Sequence, residues 1–132
     1  MRIAVFLIVL LAFTACKKEK PVVRPAFYHW KTEFAPNSQE LAYLRENNIE
    51  RIYLKVFDVD KGPSGEPIPL ASLVLPKAQP EQPHKVPAVF LTNRSFEKLS
   101  EVAAVALAEK VWQKVKALTT NPDWGTTLTE LQ

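Results

Sequence analysis

Two aspartates alternate with valine in the run Phe57-Asp58-Val59-Asp60. In an extended chain, residues two apart point to the same side, about 6.6 Å from one another. Carboxylates so placed can divide acid and base work or hold a cation together. Ahead of Lys61-Gly62-Pro63 the same pair can equally open a turn. Two other segments, Tyr28-His29-Trp30-Lys31 and Leu91-Thr92-Asn93-Arg94, also close apolar stretches with polar groups. His29 can act as acid, base or ligand. Lys31 and Arg94 can hold an anionic or hydroxylated ligand while Asp58 or Asp60 supplies an acceptor or a base. His29, Lys31, Asp58, Asp60, Asn93 and Arg94 therefore form a candidate rim, provided their segments end at one edge. The competing use is structural: strands end in polar loops in any case, and Asp58 could pair with Arg94 inside the scaffold. The only other histidine, His84, stands in a proline-rich stretch and the only cysteine is Cys16, so neither a metal site nor a cofactor is expected.

The elements that must position these groups are legible in outline. Residues 26–30 are short, apolar and aromatic, and read as a strand. Asn37-Ser38-Gln39-Glu40 has the spacing of a capping box. It opens a helix with a narrow apolar side at Leu41 and Leu44, and Asn47-Asn48 suits its exit. Residues 49–59 are the most strand-like, with Ile52, Leu54 and Val56 predicted on one face and Tyr53, Lys55 and Phe57 on the other. Residues 61–87 hold seven of the eleven prolines and two of the three glycines, which predicts a long connection with an extended piece at 70–75. Residues 87–92 read as another buried strand. A long helix is expected from about Phe96 or Leu99 to Leu118, burying Val102, Val105, Val111, Val115 and Leu118. Pro122 and Gly125 break it, and residues 126–132 begin to look like a further strand. Trp30, Trp112 and Trp124 could stack on sugar rings, although Trp112 on the helix better suits a core or an interface.

Strand, helix, strand, loop, strand, helix, strand is the alternation of an α/β protein with a mainly parallel sheet and right-handed crossovers. The carboxyl ends of parallel strands share one edge, where sites form. About four strands and two helices can make a partial, β/α barrel-like sheet, the opening of a barrel that needs about 250 residues when complete. The alternative is a small open α/β domain.

The N-terminus points elsewhere. Met1-Arg2, an apolar run from Ile3 to Phe13 and then Thr14-Ala15 have the layout of a signal peptide. The run is too short to span a bilayer, which needs roughly 20 apolar residues. Phe13-Thr14-Ala15-Cys16 resembles the bacterial lipobox. That resemblance implies a signal peptide over residues 1–15, cleavage before Cys16, lipid on its sulfur and on the new amine, and a tether over 16–25 leading to the α/β domain of 26–132. Membrane lipid is thus the expected partner, and Lys17 implies sorting to the outer membrane, facing the periplasm of the cell envelope. With one cysteine in the mature chain, internal disulfides are excluded. No aromatic residues interleave with a basic stripe, so nucleic acid is not an expected partner.

Two resemblances concern the remainder. Asp58-Val59-Asp60 with Leu91-Thr92-Asn93-Arg94 resembles the first two motifs of haloacid dehalogenase-like phosphatases. It implies Asp58 as nucleophile, Asp60 as acid/base, Thr92 as phosphate ligand and magnesium as cofactor. FYHWKTEF, IYLKVFDVD and VPAVFLTNRSFE together resemble the opening of a family of uncharacterised bacterial lipoproteins with a β/α-barrel architecture. The expectation is an envelope lipoprotein whose domain binds or processes a small polar or glycan ligand at its strand ends. The alternatives are the magnesium phosphatase and a non-catalytic interaction lipoprotein or gene fragment.

Overall fold

The computed structural model describes residues 23–78 and 82–132. The signal segment, Cys16 and most of the tether lie outside them. In chain order the elements are β1 (Ala26–His29), α1 (Ser38–Glu46), β2 (Arg51–Lys61), β3 (Pro67–Leu70), β4 (His84–Leu91) and α2 (Glu101–Thr119). Short 3-10 turns follow β4, at Asn93–Phe96, and α2, at Pro122–Trp124. The result is a mixed α/β fold with an open four-stranded sheet.

The capping box forms as expected. Asn37 Oδ1 accepts from the amides of Gln39 (2.9 Å) and Glu40 (3.0 Å), while Glu40 Oε2 accepts from the Asn37 amide (2.8 Å). Asn48 takes φ +54° at the helix exit, the left-handed region that Asn tolerates better than most residues.

β1 and β4 run parallel to β2 along its two edges. The proline-rich segment is less of a free connection than expected. Its strand comes earlier, at Pro67–Leu70, and folds back antiparallel on Asp58–Lys61, while the expected extended piece at 70–75 makes an isolated bridge between Val74 and Glu33. Gly62 N donates to Glu66 O (2.8 Å), so in this register Asp60–Ile68 and Asp58–Leu70 are the bonded pairs. Pro67 and Pro69 fall between them, where a missing N–H costs the ladder nothing. β4 likewise starts earlier than expected, at His84, with Pro87 inside it. The Pro87 carbonyl faces away from β2 and accepts from Gln132 N (3.0 Å). Its missing N–H therefore points outward too. Gln132 O accepts from Val89 N (2.8 Å). Residues 126–132 form no strand, but the backbone of Gln132 makes these two bonds in the pattern of a parallel bridge.

The faces of β2 differ from the simple alternation. Lys55 pairs with Ala88 and Phe57 with Val89, which leaves Val56 as an extra residue in a β-bulge. Phe57 consequently turns to the same side as Ile52, Leu54 and Val56, and all of these are buried. The expected placement of Phe57 with Tyr53 and Lys55 is corrected by that one unpaired residue.

The core lies between this side of the sheet and α2, with Phe34, Leu73 and Trp124 filling in. Leu107, Val111, Val115 and Leu118 face it, as the 3.6-residue period allows. Val102 and Val105, expected in the core, fall on the opposite side of the helix, and Val102 is 81% exposed. Helix α1 flanks the same side of the sheet, since one cleft is lined by Phe27 and Ile52 together with Tyr43 and Leu44. Lys85 enters the core beside Ile52. Its Nζ donates to Trp124 O (2.7 Å) and Asp123 O (3.4 Å). Burial pushes its pKa below the usual lysine range, partly offset by the charge of Asp123.

Candidate functional site

The other side of the sheet carries no helix among the described residues. By register and alternation it holds Tyr28 of β1, Tyr53, Lys55, Asp58 and Asp60 of β2, and Val86, Ala88 and Phe90 of β4. The bulge puts the aspartates there. Without it, Asp58 and Asp60 would share the parity of Ile52 and Leu54 and enter the core.

Four aromatic rings form an arc on this face. Tyr53 and Tyr28 stack at 4.6 Å between centroids, Tyr28 and Trp30 at 5.8 Å, and Trp30 meets Phe90 edge to face at 6.2 Å. Trp30 leaves β1 and Phe90 belongs to β4, so their contact crosses β2. Between them lie Lys55 and Asp58, with Lys55 Nζ 2.9 Å from Asp58 Oδ2. The bulge also explains this pairing, because it brings residues three apart to one side. The two side chains are only 16% and 24% exposed, whereas Trp30 is 55% exposed and Tyr28 and Phe90 are nearly as open. Asp58 Oδ1 is buried and has no hydrogen-bond partner. An acceptor left unpaired in this way is costly, on the order of 1–3 kcal/mol.

Asp60 sits further along, at the junction of β2 with the turn after β4. Its Oδ1 accepts from Thr92 Oγ1 (2.8 Å) and from the Lys61 amide (2.8 Å), with Arg94 Nε at 3.7 Å. The Thr92 hydroxyl, then the Lys61 amide, then the nearby cations hold its carboxyl below the usual aspartate range. Ser95 Oγ donates to Val59 O (2.8 Å) and the Thr92 amide donates to the same carbonyl (3.0 Å). Lys61 Nζ reaches Glu97 Oε2 at 2.7 Å and lowers that carboxyl's pKa as well. These bonds fasten the 3-10 turn onto the end of β2.

The six rim residues expected from sequence are thus only partly gathered. Asp58 and Asp60 share the open side, and Arg94 joins Asp60 rather than Asp58. Asn93 is exposed at the start of the turn. His29 pairs in register with Leu54 and so faces the helix side. Its Nε2 lies 2.7 Å from Glu33 O, which can only accept, so that nitrogen carries the hydrogen. His29 and Lys31 line the cleft beside α1, an open space of about 730 Å³, with Phe34, Gln39 and Tyr43. The reason is strand parity: Tyr28 and Trp30 take one side of β1, His29 and Lys31 the other. Lys55, Tyr28, Tyr53 and Phe90 were not among the expected site residues. The signal for them was the slip from apolar positions 52, 54 and 56 to 57 and 59. Among the described residues no group of three or more His, Cys, Asp or Glu side chains is placed to hold a metal ion. Comparison with protein-family models, curated proteins and solved structures returned no match.

Proposed function

We propose that the chain is a bacterial lipoprotein precursor, anchored through Cys16 at the outer membrane facing the periplasm, whose domain binds or processes a small polar or glycan ligand. The ligand site is the open aromatic face near the strand ends. What carries this reading is the arc of rings, with those of Tyr28, Trp30 and Phe90 about half exposed, on the face that holds the Lys55–Asp58 pair. Ligand sites combine mostly apolar and aromatic walls with a few placed polar groups, and exposed apolar patches of this kind mark interaction surfaces. The finer fold reading belongs here too. Three parallel strands with helices on one side and ring-bearing side chains on the other match the wall of a β/α barrel, whose sites form at the carboxyl ends of the strands.

The phosphatase alternative gains less support, because Asp58 is engaged by Lys55 and the Thr92 hydroxyl is donated to Asp60. Two experiments test the proposal. Radiolabelled fatty acid should enter the wild type and not Cys16→Ala; label retained in the mutant would sink the anchor. A screen of polar ligands against the purified lipoprotein, repeated with Trp30→Ala and Phe90→Ala, should find a ligand whose binding both substitutions weaken. Binding indifferent to both would remove the open face from the site.

A further inference from the structure

The helix side of the sheet is not fully covered. Phe27 belongs to that side by parity with His29, yet it is 44% exposed, as is 55% of Tyr43 on α1. Both line the cleft of about 730 Å³, a size within the roughly 300–1,000 Å³ usual for small-molecule sites. Phe34 and Ile52, both buried, give it an apolar floor. Its polar lip is built on anchored backbone. Phe34 N donates to Val74 O (3.2 Å) and Val74 N to Thr32 O (2.8 Å), which fixes the chain on both sides of Glu33. His29 is fixed too, by its Nε2 on Glu33 O and by its ring, T-shaped against Phe34 at 5.1 Å. With the hydrogen on Nε2, Nδ1 of the neutral ring is an acceptor, and no described residue donates to it.

Two full charges at the cleft are unmatched. Lys31 and Glu33 both line it, both are exposed, and neither belongs to an ion pair among the described residues. The start of α1 is already engaged, since Asn37 Oδ1 holds the amides of Gln39 and Glu40 while Glu40 Oε2 accepts from the Asn37 amide. A ligand that is only an anion would pair with Lys31 and be repelled by Glu33, and one that is only a cation meets the reverse conflict. A zwitterion matches both. The apolar floor adds the need for an apolar side chain.

We propose that the cleft beside α1 binds a free apolar α-amino acid. Its carboxylate pairs with Lys31, its ammonium with Glu33 and His29 Nδ1, and its side chain packs on Phe27 and Ile52. The cleft and the aromatic face lie on opposite sides of the sheet, so this inference does not rest on the ligand reading given for that face. The experiment is calorimetric titration of the full lipoprotein in neutral detergent with leucine and phenylalanine, and with the N-acetylated and the amidated form of each. A free amino acid should bind saturably, and each blocked form, lacking one of the two charges, about tenfold more weakly. Lys31→Met should abolish the preference for the free acid over its amide, and Glu33→Gln the preference over its N-acetyl form. A merely structural role for either residue would lower all affinities alike. Binding of neither amino acid, or equal binding of the blocked forms, would overturn the inference. Binding weakened by Trp30→Ala and Phe90→Ala but not by Lys31→Met would move the amino acid to the open face, and would overturn it as well.

Discussion

Deleting Val56 should leave the domain folded, because that residue is the one β2 does not need for its register. With it removed, Ile52, Leu54, Phe57 and Val59 still face the core and Tyr53, Lys55, Asp58 and Asp60 still face outward, in regular alternation along β4. The cost comes from Val56 itself. It is fully buried, which is worth about 1.5–3 kcal/mol, and its carbonyl accepts from Leu73 N at 2.7 Å, worth about 0.5–1.5 kcal/mol. The sum is roughly 2–4.5 kcal/mol, within the roughly 5–15 kcal/mol typical of a folded domain. Deleting Leu54 shortens the same strand by the same amount with a different result. Lys55 would then occupy the inward position vacated by Leu54, and Val56 would turn outward. A buried lysine without its partner costs about 3–5 kcal/mol on top of the lost leucine burial, enough to abolish cooperative unfolding. Urea titration of the purified protein, followed by the fluorescence of buried Trp124, compares the two. Equal damage from both deletions, or failure of the Val56 deletion to fold, would refute the assignment of Val56 as the extra residue.

Asp60→Asn should flatten the acid limb of stability. The wild-type carboxyl titrates below its unfolded value, so its contribution is present above the ordinary aspartate range and lost as pH falls below that range through the folded pKa; an unaltered acid limb in urea midpoints would contradict the Thr92–Asp60 bond. Lys85 works at the other end of the scale. Its folded pKa is depressed by burial, so the folded state binds fewer protons than the unfolded one and stability rises as pH climbs toward about 10.4. Lys85→Met should lose that rise, and a persisting alkaline rise would count against burial as its cause. On α2, Val115→Ala should cost about 1.5–3 kcal/mol and Val102→Ala less than about 0.5 kcal/mol, measured by the same titration; equal costs would contradict the helix orientation.

The local signals were sufficient wherever chemistry acts over a few residues. Asn37 and Glu40 specify a helix start by their own hydrogen bonds, Asn47-Asn48 its end, and the run of Ile, Val, Tyr and Phe from Ile49 a strand. The alternation of elements fixed an α/β class with parallel pairing around β2. What sequence alone left undecided is which way each side chain faces, because parity along a strand is set by pairing with its neighbours. One unpaired residue, Val56, carries Phe57 inward and Asp58 outward to meet Lys55. The same parity turns His29 and Lys31 away from the aspartates they were expected to join, while Trp30 reaches across β2 to Phe90. Whether Asp60 serves a ligand or the scaffold was also open until Thr92 and Arg94, more than thirty residues away in the chain, were brought against it. Such contacts depend on which strands become neighbours, and only the assembled sheet decides that.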